Sequence, residues 1–214
     1  APKHKGITYF LVPMNSPGIT VKPIRQMNRQ SKFNEVIFEN VRIPKDNHLG
    51  KVNEGWKVAM TTLSFERGST IFRRYATYLA EVYHLVNLSR GLNSSGEERR
   101  AIEDPYFRQR MSQSFVELSI LRYHALHTLS KILNTGKLGP EASLLKVYYS
   151  EAHQRFTRLA IDMEGDESMY WGEQGIAGGL FQQIYLDSRA ETIYAGTSQI
   201  QKNILAELVL GLPR

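Results

Sequence analysis

Several stretches of the chain combine residue types that could do chemistry. In Leu63-Ser-Phe-Glu66-Arg67-Gly68-Ser69-Thr70 a carboxylate sits beside a guanidinium. Such a pair is ordinarily solvated, but Gly68 in a long helix costs roughly 1 kcal/mol relative to Ala, which suggests that something passes close to this helix. Ile193-Tyr-Ala-Gly-Thr-Ser-Gln-Ile-Gln201 runs from two bulky residues through four small ones and contains no acid, base or nucleophile. The Thr197 and Ser198 hydroxyls suit the start of a helix, where they satisfy orphan N–H groups. Gly196 permits a positive φ and close approach, and a helix N-terminus also favours electron-rich ligand oxygens. Capping is the simpler reading of this stretch and a ligand seat the second.

The other stretches carry weaker signals. Gly172-Glu-Gln-Gly-Ile-Ala-Gly-Gly179 could cradle a phosphate on its N–H groups. It lacks the lysine and spacing of a nucleotide P-loop, and an interhelical loop explains it more simply. Glu81-x-x-His84 and His124-x-x-His127 place possible metal ligands on adjacent helical turns. A di-iron bundle site wants two Glu-x-x-His pairs, and with no second pair these histidines read as surface or core-edge residues and no metal is expected.

The remaining composition narrows the classes. The 214 residues contain no cysteine, which removes disulfides, thiolate nucleophiles and Cys-ligated metal sites, and fits a reducing compartment. Hydrophobic residues at 42% and charged residues at 22% fit one large globular domain or a domain with an appendage. Lys and Arg give a net charge of +6 but are dispersed, with short clusters at Arg73-Arg74 and Arg99-Arg100. Dispersed positive charge suits an anionic small molecule better than nucleic acid, so no nucleic-acid partner is expected. No run of about 18 apolar residues is present, so no membrane span is expected. The first six residues carry charge without an apolar stretch behind them, and a cytoplasmic protein is expected.

The elements that must position these residues change character along the chain. Gly6–Val12, Ile19–Ile24, and Lys32–Phe38 with Val41–Ile43 read as three strands, closed by a loop over Pro44–Gly50. Three strands rarely stand alone, so they read as part of a sheet. From Asn53 the apolar period is helical, through Trp56, Tyr78, Val82 and Leu85 to Gly91, a helix of about 37 residues. Asp104-Pro105 predicts the N-cap and first turn of a second helix ending at Gly136. Gly139-Pro140 opens a third helix that stops at Gly165. A short element follows near 182–193, then a last helix that stops before Gly211. Long helices and short loops predict a mainly α fold: an antiparallel four-helix bundle (residues 51–214) preceded by a short β-sheet remnant (residues 1–50).

Together these residues resemble the acyl-CoA dehydrogenase family of flavoproteins. Lys5-Gly-Ile-Thr-Tyr-Phe-Leu-Val-Pro13, Pro17–Val21, Phe33–Phe38, Val41–Pro44 and Leu49–Trp56 look like the end of that family's middle β-domain. Ile193–Lys202 running to Leu210-Gly-Leu-Pro213 looks like its terminal helix. The resemblance implies a larger enzyme, of which this chain is the C-terminal part, that dehydrogenates an acyl-CoA thioester at its α,β-bond with FAD as cofactor. It implies an electron-transferring flavoprotein as acceptor and a homo- or hetero-oligomer, dimer or tetramer. A matrix location would follow if the source is eukaryotic. Many members carry the proton-abstracting Glu directly before Gly-Thr, where this chain has Ala195. A minority place it on the first long bundle helix before an arginine, which points to Glu66. By the same resemblance Arg67 and Gly196 would contact substrate, and Thr197, Ser198 and Gln199 would contact FAD. Two motifs depart from the family: an Arg-x-x-Phe-Gly is replaced by Arg90-Gly-Leu-Asn-Ser-Ser-Gly96, and a Gln-x-x-Gly-Gly-x-Gly loop becomes Gln174-Gly-Ile-Ala-Gly-Gly179. The departures suggest a divergent branch acting on bulky acyl groups. The alternative is a non-catalytic helical-bundle subunit or oligomerisation module of a flavoprotein complex.

Overall fold

The computed structural model describes residues 1–91, 100–136, 138–140 and 142–213; for residues 64–71 it describes the helical backbone alone. The chain divides into two compact units, Ala1–Arg67 and Gly68–Arg214.

The first unit is built from short strands. β1 (Tyr9–Phe10) pairs antiparallel with β4 (His48–Leu49), and β2 (Ile19–Ile24) pairs antiparallel with β3 (Phe33–Phe38) in the register Ile19↔Phe38 to Ile24↔Phe33. These are two separate two-stranded sheets rather than one three-stranded part. The expected strand over Gly6–Val12 shrinks to two residues. Val41–Ile43 is not a strand, because Asn40 adopts φ +51° and turns the chain out of the ladder after β3. The loop over Pro44–Gly50 instead contains β4. Gly55 opens α1 (Gly55–Ser89) directly beneath this backbone, donating from its N–H to the Ile7 carbonyl at 2.7 Å. A Cβ there would lie 2.5 Å from the Tyr9 nitrogen, so the contact requires glycine. β2 and β3 leave Val21, Ile24, Phe33 and Phe38 exposed.

The second unit is a bundle, and its apolar stripes form one core. Tyr78, Val82 and Leu85 of α1 meet Met111, Leu118, Leu121 and Ala125 of α2 (Pro105–Thr135). Tyr149, Ala152, Phe156, Leu159 and Met163 of α3 (Ala142–Glu164) join them, as does Phe181 of α4 (Leu180–Ser188). α3 is the central helix, packed by α2, α4 and α5 (Ser198–Leu208). Its buried stripe runs through Leu145, Tyr149, Ala152 and Phe156. The fold is mainly α, a helical bundle preceded by a sheet remnant, as the apolar periods predict. No helix among the described residues is long and apolar enough to cross a membrane.

Local chemistry sets the helix ends. The Tyr106 N–H donates to the Asp104 Oδ1 at 2.8 Å, Pro105 occupies the first turn, and Gly136 closes α2 in the left-handed region at φ +67°. Asp104→Ala is expected to cost about 1 kcal/mol of stability in urea denaturation, because it orphans that N–H while leaving the core intact.

Candidate functional site

The turn ahead of α5 is held in an uncommon backbone shape. Ala195 (φ +53°) and Gly196 (φ +85°) are successive left-handed residues. The Gln201 side-chain amide, itself buried, donates from Nε2 to the Ala195 carbonyl at 2.9 Å. A Cβ on Gly196 would lie 2.5 Å from that nitrogen, so the glycine is required first by the chain's own clamp. Thr197 then caps α5, its Oγ1 accepting from the Ile200 N–H at 3.2 Å, as the capping reading expects. Ser198 is buried, and its Oγ has no hydrogen-bond partner among the described residues. Gln199 is exposed. An orphaned hydroxyl beside the unpaired first-turn N–H groups of a helix fits the electron-rich rim of a bound cofactor. Gly196→Ala is expected to break the Gln201 clamp and loosen the turn, seen as faster amide exchange over residues 194–201 with α2 unaffected.

The expected residues divide between the units. Gly196, Thr197, Ser198 and Gln199 are consecutive on this turn. Glu66 and Arg67 lie on the helical backbone of α1, and their side chains fall outside the described residues, as does most of the Arg90–Gly96 motif. The glycine-rich segment forms two short 3-10 turns, Gly172–Gln174 and Ile176–Gly179, leading into α4, in keeping with the interhelical-loop reading.

A buried polar cluster stands behind the turn, and sequence spacing did not reveal it. Glu81 is not paired with His84: its Oε2 accepts from His153 Nε2 of α3 at 2.6 Å. His153 Nδ1 faces Glu191 Oε2 at 2.9 Å, and the Tyr149 hydroxyl donates to Glu191 Oε1 at 3.0 Å. Both ring nitrogens face carboxylates, so both must donate, and the ring is an imidazolium. Burial opposes that charge, but hydrogen bonds to Glu191 and Glu81, with their negative charge, outweigh it and raise His153 to about 9. Burial, then the charges of Glu191 and Glu81, push the Tyr149 hydroxyl far up. Glu191 belongs to the 3-10 turn Arg189–Thr192, immediately before Ile193. The Arg74 guanidinium of α1 lies over the Tyr149 ring (5.1 Å) and the Tyr194 ring (5.9 Å). His84 instead packs against Phe181. The available signal was the Tyr149-x-x-x-His153 spacing on the buried stripe of α3.

Residues 53–210 match a family described as acyl-CoA dehydrogenase, C-terminal domain. The chain belongs to the acyl-CoA dehydrogenase family. The acyl-CoA dehydrogenase IpdE1 of Mycolicibacterium smegmatis is 36% identical over 99% of this chain and 50% of that protein. Among solved structures, the Tcur3481-Tcur3483 steroid acyl-CoA dehydrogenase superposes with a TM-score of 0.78 at 24% identity, covering 100% of this chain and 54% of that one. The ChsE4-ChsE5 complex of Mycobacterium tuberculosis does so with a TM-score of 0.82 at 22% identity, over 100% and 55%. These two likenesses carry the fold. The chain spans about half the length of the curated relatives it matches. Acyl-CoA dehydrogenases are flavoproteins.

Proposed function

We propose that this chain is the C-terminal part of an FAD-dependent acyl-CoA dehydrogenase that forms the α,β-double bond of an acyl-CoA thioester. Residues 1–50 close the middle β-domain and residues 51–214 form the helical domain. Ala195 is the observation that carries the assignment of roles. Alanine cannot take a proton, and by the family resemblance it occupies, directly before Gly196-Thr197, the position where many members carry the base. Glu66, beside Arg67 on α1, then removes the α-proton, and bound FAD would supply the hydride acceptor for the β-hydrogen. A base of this kind must be desolvated at the moment of reaction and aimed at the α-carbon. Arg67 and Gly196 bind substrate, Arg67 by its charge and Gly196 by letting the chain come close. Thr197, Ser198 and Gln199 hold the cofactor through the start of α5, with the buried Ser198 hydroxyl free to donate to it. The acyl group is bulky, an electron-transferring flavoprotein takes the electrons, and the working assembly is a cytoplasmic homo- or hetero-oligomer. Named complexes among the structural relatives support the last point.

The full-length protein tests this reading. Purified aerobically, it should be yellow. Under anaerobic conditions, straight-chain, branched and polycyclic acyl-CoA thioesters should be tried in turn, and at least one should bleach its flavin absorbance near the oxidised maximum. A colourless protein, or a yellow one that no acyl-CoA bleaches, overturns it.

A further inference from the structure

The Glu81–His153–Glu191 cluster lies outside every role assigned above, yet it is the most heavily committed set of ionisable groups among the described residues. Its three members come from α1, α3 and the 3-10 turn that feeds Ile193. His153 is 3% exposed, and its bonds of 2.6 Å and 2.9 Å run in opposite directions from one ring. We infer that His153, clasped between Glu81 and Glu191, is a positioning residue that fixes the Tyr194–Gln199 turn against α1 in the geometry used for flavin and acyl thioester. This rests on the acyl-CoA dehydrogenase reading of that turn.

The path from the ring to the turn is short and continuous. Glu191 takes the Nδ1–H of His153 and the Tyr149 hydroxyl, and two residues later the chain enters Ile193-Tyr194. Arg74 closes the far side by lying over both Tyr149 and Tyr194. Beyond Tyr194, Ala195 and Gly196 hold left-handed backbone, clamped from the α5 side by Gln201 and flanked on the other side by the segment that carries Glu191. The ionisable groups against the ring are Glu81 and Tyr78 from α1, Tyr149 from α3 and Glu191 from the turn, with Arg74 stacked over Tyr149 and Lys146 acting on Glu191 one step further out. Glu117 of α2 acts on Tyr78 from behind. Burial and the Arg74 charge push Lys146 down, and its Nζ makes no hydrogen bond among the described residues, to these carboxylates or to any other group. Loss of the imidazolium proton removes one donor from a site with two carboxylates, and the released carboxylate is the turn's own or that of α1.

The test uses the full-length holoenzyme, wild type against Glu191→Gln, which keeps size and hydrogen-bonding atoms but removes the charge, with His153→Gln as the second variant. Amide exchange read by mass spectrometry should accelerate about tenfold over residues 189–201 and stay unchanged over α2. Turnover should fall by roughly 10²-fold with KM nearly constant, as expected when a positioned turn is misplaced by about an ångström. The high-pH decline expected of wild-type turnover should move to lower pH in Glu191→Gln, where Glu81 alone holds the imidazolium, and be missing from His153→Gln. Wild-type exchange and turnover in Glu191→Gln overturns the proposal, and so does faster exchange spread evenly over the bundle, which marks a merely structural role. If His153→Gln does not fold, the Glu191→Gln result decides alone. If no acyl-CoA bleaches the wild-type flavin while the exchange pattern holds, the enzymatic reading fails and the fixing of the turn by His153 stands.

Discussion

Glu66→Gln in the full-length protein is expected to slow acyl-CoA-driven flavin reduction by about 10²- to 10⁴-fold, the range general-base removal usually produces. Flavin should stay bound, since the residues assigned to it, Thr197, Ser198 and Gln199, are on α5 and its cap. The size of the loss follows from there being no substitute at the other position where the family places a carboxylate. Ala195 has no proton acceptor, and the stretch from Ile193 to Gln201 contains no acid or base. Gln keeps the shape and polarity of Glu, so the substitution isolates the proton-accepting oxygen. Stopped-flow absorbance of the flavin under anaerobic conditions measures it, and KM should change far less than the rate. The neighbouring Arg67→Ala should show the opposite division, with weaker substrate binding and a smaller loss of rate.

The second large effect concerns stability. His153→Ala leaves Glu81 and Glu191 facing each other across a cavity with no cation between them. Breaking a buried pair in this way costs about 3–5 kcal/mol. The wild-type dependence on pH has the same origin. The imidazole is raised in the folded protein from its ordinary value of about 6.5 to about 9. Its contribution is therefore complete below about pH 6.5, declines as pH rises, and is gone above about pH 9. Between about pH 7.5 and 9.5 the bundle should lose on the order of 2 kcal/mol on this account. Glu164 complicates the lower part of the range. Burial raises its carboxyl to about 7, against a hydrogen bond from Gln182 that lowers it, so its own contribution is lost as pH rises through neutrality. Starting the comparison at about pH 7.5 leaves most of that change behind. Urea denaturation of wild type and His153→Gln across the window should show a steep decline in the first and a shallow one in the second. Parallel declines would remove His153 as the cause.

Much of the architecture was legible because it is written in local chemistry. Asp104, Pro105 and Gly136 mark the ends of α2 through bonds that span two to four residues, and the structure has those bonds. Thr197 and Gly196 were legible for the same reason, although the partner that demands the glycine, Gln201, was not singled out. The apolar period gave the long helices and put Tyr78, Val82 and Leu85 in the core. Where pairing runs over distance, spacing was a poor guide. β4 hid in a segment rich in turn residues because its partner, β1, is almost forty residues away. Glu81 was read against His84 three positions along the same helix face, while its true partner lies 72 residues on. His153 itself was passed over because it shares the stripe of α3 with apolar residues. A histidine on such a stripe looks like core filling until the carboxylates around it are known. The roles of Glu66 and Arg67 were legible only through the family resemblance, since their side chains lie outside the described residues.

The transfer of α-hydrogen to solvent is the most direct measurement of the central claim. The full-length oxidised protein should be given an acyl-CoA carrying deuterium at the α-carbon and the label followed into water. Wild type should release the label at the rate of flavin reduction, and Glu66→Gln should retain it almost completely with flavin still bound. Equal release from both proteins would contradict the assignment of Glu66 and send the search for the base elsewhere in the chain.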